Sequence, residues 1–334
     1  MSTSAPVEQD TSRPREIDPG VVGADRAFNL GFTGAGVLVM ALTAAIGLFL
    51  AFSLIPTLRA YGLSFFTQQN WDPETNQVGI AGAISGTVEI ALVALVVSVP
   101  LALGTALYIT EYSPPRIRPT LVSLVDLMAA VPSVIYGLWG VYLLKPHAME
   151  VARWMAEYLG WIPLFKVDAD AHSATWAQSQ FIGSAFIAGL AVSMMVTPLA
   201  CAIMRGVFAM APVGEREAAL ALGGTSWGVI RTVVLPFGRG GIIGGTMLGL
   251  GRALGETICV LIIISFSYKI NWHVLQQGTV TISSLIANRF GDSTSTQLKA
   301  LLAAGFVLFA LTLVVNTIAG RIVTRSRSGS ATEL

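Results

Sequence analysis

Charge is scarce in this chain. Asp, Glu, Lys and Arg make up 12% of its 334 residues, against roughly 25% in soluble domains. The formal net charge is +1, so bulk electrostatics offers no grip on nucleic acid. Lysine is scarcer still: Lys145, Lys166, Lys269 and Lys299 are the only four. None follows Gly or precedes Ser or Thr, which leaves no P-loop to cradle a nucleotide phosphate. Cysteine is limited to Cys201 and Cys259, both inside apolar runs. Neither is placed like a disulfide partner or a metal ligand, so both read as small buried hydrophobes. His147, His172 and His273 are scattered and give no metal-ligand spacing. No internal repeat or low-complexity tract stands out. A cleavable signal peptide is not expected, because the first apolar block starts too late and runs too long.

Apolar residues dominate instead, at 54%. They fall in blocks of about 20 or more, enough to cross about 30 Å of hydrocarbon. An all-α membrane protein with six transmembrane helices follows. The spans are expected near 31–55, within 79–110, and near 120–144, 181–204, 239–266 and 298–318. Residues 1–30 are polar and hold Pro6, Pro14 and Pro19, which reads as a mostly disordered tail with a possible short amphipathic piece near Asp25–Leu30. Residues 321–334 form a second tail after the 31–320 membrane domain.

Lys and Arg set the orientation. With the N-terminus inside, twelve basic residues fall on inner segments and seven on longer outer ones. Both termini and residues 206–238 are therefore expected in the cytoplasm. The outer segment near 145–180 carries Trp154, Tyr158, Trp161, Phe165 and Trp176. It reads as a helix seated among lipid headgroups or as a docking surface for an external partner.

Charges inside apolar runs are costly, roughly 2.5–3.5 kcal/mol each by insertion scales. Arg252 and Glu256 stand four apart in the fifth span, which on a continuous helix puts them on one face. They read either as an ion pair locking helix packing or as charges beside a solute path. Arg suits an oxyanion, because its fork donates two parallel hydrogen bonds. Gly241, Gly245 and Gly249 recur every fourth residue there and invite close approach of another helix. Glu89 and Asp126 lie in other apolar runs and read as structural or interfacial. Pro132 breaks the middle of the third span, and the freed backbone must be satisfied by protein or a water-filled cavity. Ser133 and Tyr136 beside it become candidates for the same path. Pro100 and Pro198 read as plain kinks.

Residues 213–236 form a long non-hydrophobic interval on the inner side. Glu215 and Glu217 suit a first helical turn. Ala218, Ala219, Leu220, Ala221 and Leu222 are strong helix formers. Gly223 and Gly224 supply a left-handed stop, and Thr225 is a plausible N-cap for a second helix. Trp227, Ile230 and Val234 make one apolar face, and Pro236 is expected to end or kink that helix. Gly224-Thr225-Ser226-Trp227-Gly228 matches a nucleophile elbow, but a helix rather than a strand leads into it and all three histidines lie on the opposite side. No catalytic residue is assigned.

The spacing in this interval is specific. Glu217-Ala218-Ala219, three residues, Gly223, nine residues and Val233-Val234-Leu235-Pro236 resembles the EAA loop of binding-protein-dependent type I ABC importer permeases, which usually carry Ile where Val233 stands. Residues 131–140, around Pro132-Ser133, residues 248–257, around Arg252 and Glu256, and the run Asn70-Trp71-Asp72-Pro73 are similar to the PstC-type phosphate permeases of that family. The resemblance covers about residues 30–320. It implies half of a translocation pore, completed by a second, PstA-like permease subunit. It also implies a dimer of ABC ATPases holding ATP and Mg, and an extracytoplasmic phosphate-binding protein. No cofactor is implied on this chain itself. Glu217, Ala218, Ala219, Gly223, Thr225, Leu235 and Pro236 would form the ATPase-coupling element. Arg252 and Glu256 match the charged positions of the phosphate permeases. The same architecture serving sulfate or molybdate, the sister-subunit role, and an ion-coupled carrier or channel acting alone are the alternative readings.

Overall fold

The computed structural model describes residues 23–72, 77–167 and 180–326. Residues 1–22 of the expected N-terminal tail, Pro73, Trp176, His172 and Arg327 lie outside them. The chain divides into two compact units, up to Phe49 and from Leu50 onward. In the first, helix α1 starts at Gly23 and continues into the second unit as far as Tyr61. Helix thus occupies residues 23–30, which include the short Asp25–Leu30 piece set apart from the rest of the tail, and runs on without a break into the first apolar block. Asp25 sits in its first turn, complementing the positive helix end. Phe28 and Phe32 stack one turn apart, with centroids 4.3 Å apart. Val37, Leu38, Val39, Met40, Leu42 and Ile46 are all exposed. A helix apolar all round suits lipid or another helix, not water.

The second unit continues through α2 (Ser64–Thr67) and a small hairpin, β1 (Trp71–Asp72) and β2 (Gln77–Val78), to α3 (Ala81–Leu107). The fold is otherwise all helix: α4 (Arg118–Ala130), α5 (Ser133–Trp139), α6 (Lys145–Leu159), α7 (Ala185–Ala209), α8 (Val213–Ala221), α9 (Ser226–Val229), α10 (Leu235–Leu254), α11 (Ile258–Ile263), α12 (Ile282–Arg289) and α13 (Ser295–Ser326). Among the described residues five helices are long and apolar enough to cross a membrane. A sixth span is the broken pair 118–130 and 133–159, bent by 91°. The last helix runs through Ser326, past the boundary expected at 320.

Three π turns interrupt these helices, and proline explains each. The amides of Ser113, Lys145 and Leu235 donate five residues back, to the carbonyls of Tyr108, Gly140 and Ile230. The next residues are Pro114, Pro146 and Pro236. Proline has no N–H and its ring clashes with the carbonyl four residues back. Widening the turn just before it makes room for the ring. Of the two outcomes expected at Pro236, an end does not occur: one helix runs from Ser226 to Leu254, with the π turn as its accommodation. The fifth span correspondingly starts earlier than expected and breaks at residues 255–257 before α11.

Helix α7 is the centre of the packing. Against α3, a Cβ on Gly189 would meet Val93 Cβ at 2.6 Å. Against the π turn after α5, a Cβ on Gly140 would meet Ala191 Cβ at 3.2 Å. Against α10 the expected glycine stripe operates. Cβ atoms on Gly238, Gly241 and Gly249 would meet Phe208 Cε1 at 2.2 Å, Val207 Cβ at 2.6 Å and Val196 Cγ1 at 2.7 Å, and one on Gly245 would meet the Ala200 carbonyl at 3.0 Å. Cys201 and Cys259 are free and buried in these interfaces, as expected. A second cluster, Phe65, Trp71, Val78, Ile80, Val280, Ile282, Leu285 and Leu301, ties the hairpin to α12 and α13.

Helix α6 buries Ala148 and Ala152 and exposes Trp154 and Tyr158, whose rings lie 5.5 Å apart. Trp161 is exposed as well, whereas Phe165 packs on the core.

The stripe makes a paired prediction. Gly241→Leu forces a side chain into Val207 and should cost about 1–3 kcal/mol, the usual range for overpacking. Gly244 has nothing within 4 Å of an added Cβ, so Gly244→Leu should leave the thermal midpoint of the detergent-solubilised protein unchanged or higher. Equal midpoints for the two variants would refute the packing role.

Candidate functional site

The coupling interval builds itself from local chemistry. Helix α8 starts after Pro212 with Glu215 in its first turn. It ends in a Schellman motif: Gly224 N–H donates to the Ala219 carbonyl at 3.1 Å and Gly223 N–H to the Leu220 carbonyl at 2.9 Å. The motif needs a left-handed residue at the turn, and Gly223 has φ +83°. Thr225 then caps α9, its Oγ1 accepting from Gly228 N–H at 3.1 Å. Both signals are placed as the sequence suggested. Ser226 follows a helix and this turn rather than a strand, so the elbow geometry that a nucleophile needs is missing.

Val213, Glu217 and Leu220 recur at i, i+4 and i+7 on α8, and all three are exposed. Ala218, Gly223 and Thr225 are exposed as well, as are Leu222 at 90% and Trp227 at 57%. Ala219 and Leu235 are half-buried, and Pro236 is exposed. An acidic residue between apolar neighbours on an outward helix face suits a groove in a partner. A neighbouring side of α8 is anchored by Arg216, which the sequence reading did not single out. Its Nη2 donates to the Phe208 carbonyl at 2.6 Å and pairs with Glu111 Oε1 at 3.2 Å. One side chain thus joins α8 to the ends of both α7 and the α3 span. Only a map of contacts distant in sequence could reveal that partner.

Inside the span the structure corrects one expectation. Arg252 and Glu256 do not share a helix face, because α10 stops at Leu254 and Glu256 lies in the break. Glu256 is buried and turned onward: its Oε1 accepts from Cys259 N–H at 3.2 Å, satisfying an orphan donor of α11. Its carbonyl accepts from Ser283 Oγ at 2.7 Å. Among the described residues no ion pair joins it to Arg252. Arg252 is exposed, and its Nη2 donates to Met195 Sδ of α7 at 3.6 Å.

The break at 255–257 adjoins the one at 131–132. Gly137 of α5 packs on α11, where an added Cβ would lie 3.1 Å from Cys259 Cα. Tyr136 is buried, and its hydroxyl donates to the Met128 carbonyl at 2.7 Å, closing the end of α4 across the Pro132 break. Ser133, half-buried, begins α5. Two interrupted helices therefore meet, the arrangement in which irregular backbone is tolerated at membrane depth. Asp126 pairs with Arg205 at 3.4 Å, a link from α4 to α7. Glu89 is buried in α3, and its Oε1 has no hydrogen-bond partner among the described residues. No group of three His, Cys, Asp or Glu among the described residues could hold a metal.

Comparison with known proteins decides the family. Residues 98–328 match the family described as the binding-protein-dependent transport system inner membrane component. The chain belongs to that family. It is 38% identical over 299 residues, 88% of its length and 90% of the relative's, to "Phosphate transport system permease protein PstC 2" of Mycobacterium tuberculosis (strain ATCC 25618 / H37Rv). It is 37% identical over 319 residues, 95% and 96% of the two chains, to "Phosphate transport system permease protein PstC" of Xylella fastidiosa (strain Temecula1 / ATCC 700964). Among solved structures it resembles a bacterial ABC transporter involved in the import of the acidic polysaccharide alginate, with a TM-score of 0.53 at 17% identity, covering 92% of this chain and all of that one. That likeness supports the fold, a type I ABC importer permease architecture. The chain is a permease and an inner membrane component.

The Arg216 anchor is testable. Arg216→Ala removes both its partners, so amide exchange across 213–221 should rise about tenfold or more, as for loss of about 1.4 kcal/mol of local protection. Unchanged exchange there would show that α8 is held by other contacts.

Proposed function

We propose that this chain forms half of the translocation pore of an ATP-driven inorganic phosphate importer. The observation that supports this most is the phosphate-permease name carried by relatives 37–38% identical over nearly the whole chain. The pore is completed by a PstA-like sister permease. A dimer of ABC ATPases beneath it binds ATP and Mg, and a phosphate-binding protein delivers the anion from outside. The basic-residue bias supports cytoplasmic termini and a cytoplasmic coupling loop.

In this reading the face of Val213, Glu217 and Leu220, with Leu222 and the Gly223–Thr225 turn, docks in an ATPase groove. Ala218, Ala219, Leu235 and Pro236 shape the same element. Closure of the ATPases on ATP moves it as a rigid body, and the pore exchanges outward for inward access. Arg252 compensates the anion's charge in passage, with Ser133 and Tyr136 near the adjoining break. Glu256 shapes the wall by holding that break, instead of clamping Arg252. The chain makes and breaks no covalent bond.

The test is phosphate uptake by the complete complex reconstituted in liposomes. Uptake should require ATP. Arg252→Ala should lower it at least about tenfold, about 1.4 kcal/mol of barrier. Undiminished uptake in that variant would remove Arg252 from the path. If the tagged chain copurifies with no P-loop ATPase, the importer reading itself fails.

A further inference from the structure

We propose that Asn316 of α13 is a second ligand for the transported oxyanion, acting beside Arg252. This rests on the reading of α10 as a wall of the phosphate path. Successive residues of an α-helix turn by about 100°. Phe237, Gly244, Leu248, Gly251 and Gly255 therefore fall along one stripe of α10 and its end, beside the glycine stripe sealed by α7. From Phe237 to Leu248 this neighbouring stripe is open. Phe237 and Leu248 are 43% and 48% exposed, and a Cβ on Gly244 would meet nothing within 4 Å. Its two borders are both polar. Arg252 stands on the α7 side, against Met195 Sδ. Asn316 stands on the α13 side and packs on Gly251, where an added Cβ would lie 3.3 Å from Asn316 Oδ1. Adjacent residues of one helix thus bring a guanidinium and a carboxamide to the same open stripe.

Neither group is satisfied among the described residues. A thioether sulfur is a weak acceptor, and it is the one hydrogen-bond partner of the Arg252 side chain among the described residues. Asn316 lies in the apolar run 311–318 of a membrane-spanning helix. The other two polar residues of that run are satisfied by their own helix: Thr312 Oγ1 donates to the Phe309 carbonyl at 2.9 Å and Thr317 Oγ1 to the Leu313 carbonyl at 2.7 Å. Asn316 is exposed and makes no hydrogen bond among the described residues. A carboxamide in such a run needs a partner or a hydrated path.

The chemistry of the pair fits phosphate. Near neutral pH this anion presents both unprotonated oxygens and P–OH groups. Arginine can only donate, so it leaves every P–OH proton without an acceptor. An amide donates through Nδ2 and accepts through Oδ1. Arg252 and Asn316 together match both kinds of group on one ligand.

The experiment uses the complete reconstituted importer carrying Asn316→Leu, Asn316→Asp or Arg252→Ala. Assembly is checked by copurification of all subunits. Phosphate uptake and ATP hydrolysis stimulated by phosphate-loaded binding protein are measured together. For Asn316→Leu, uptake should fall about tenfold while stimulated hydrolysis stays within about twofold, so less phosphate moves per ATP. Asn316→Asp should fall further, because its carboxylate pairs with Arg252 and repels the anion. If Asn316→Leu does not assemble, the equally sized Asp variant decides. Uptake and hydrolysis falling in parallel in the assembled variants overturns the proposal in favour of a packing role. Loss in Arg252→Ala with parental uptake in both Asn316 variants overturns the role of Asn316 alone. Parental uptake in all three overturns the path reading with it.

Discussion

The contact between α10 and α7 through glycine is the constraint on which the rest of this structure depends. In lipid, apolar side chains gain nothing by leaving their surroundings, so helices associate through close van der Waals contact and polar bonds. Gly238, Gly241, Gly245 and Gly249 bring two backbones together where almost any side chain would collide. This seals one stripe of α10 and fixes its rotation. Rotation in turn places Arg252, three residues beyond Gly249, beside Met195 of α7. Helix α7 can serve α10 in this way because its other faces are occupied with similar economy of side-chain volume. Gly189 takes Val93 from α3, and Ala191 takes the Gly140 turn.

Two kinds of interruption follow different physics. The π turns before Pro114, Pro146 and Pro236 are local accommodations: a ring needs room, and one wider turn provides it. At Pro146 and Pro236 the helix continues. The breaks at 131–132 and 255–257 are tertiary. Each frees backbone groups, and each is closed by a particular side chain: the Tyr136 hydroxyl on Met128, the Glu256 carboxylate on Cys259, and the Ser283 hydroxyl on Glu256. The helices that follow the two breaks, α5 and α11, pack against each other through Gly137 and Cys259. Irregular backbone at this depth is therefore protein-lined, which is the condition for its survival in a membrane.

What was legible in the sequence tracks the range of the interaction responsible. The apolar runs that become long helices, the glycine stripe, the Schellman stop at Gly223 and the Thr225 cap depend on residues within a turn or two of each other; the stripe, the stop and the cap lie where the sequence suggested, while the fifth run starts earlier and breaks. The Arg252–Glu256 relation was misread for the complementary reason. The i, i+4 rule presumes an unbroken helix, and nothing local announces the break after Leu254. Its cause includes Ser283, on a different helix. At Pro236 the choice between an end and a kink stayed open, because a proline interrupts hydrogen bonding locally, while a π turn upstream keeps the helix continuous. Arg216 and Glu111 were silent because two surface-type charges near span ends look alike until the fold sets them 3.2 Å apart.

The corrected boundary of the fifth span changes the mechanical picture. Had a helix ended at Pro236, a joint would separate the Thr225 cap from Arg252. Instead a single helix of 29 residues, Ser226–Leu254, begins at the Thr225 cap and carries Arg252 near its far end. At about 1.5 Å per residue that is roughly 43 Å of continuous lever. Arg216 fastens the preceding helix α8 to the ends of α7 and the α3 span. The π turn at 230–234 is the one irregularity along the helix. It lies near the Thr225 cap and far from Arg252, so any compliance it introduces falls at the Thr225 end. In the proposed importer, the element that would meet the ATPases and the arginine that would meet the anion are therefore joined to opposite ends of one helix.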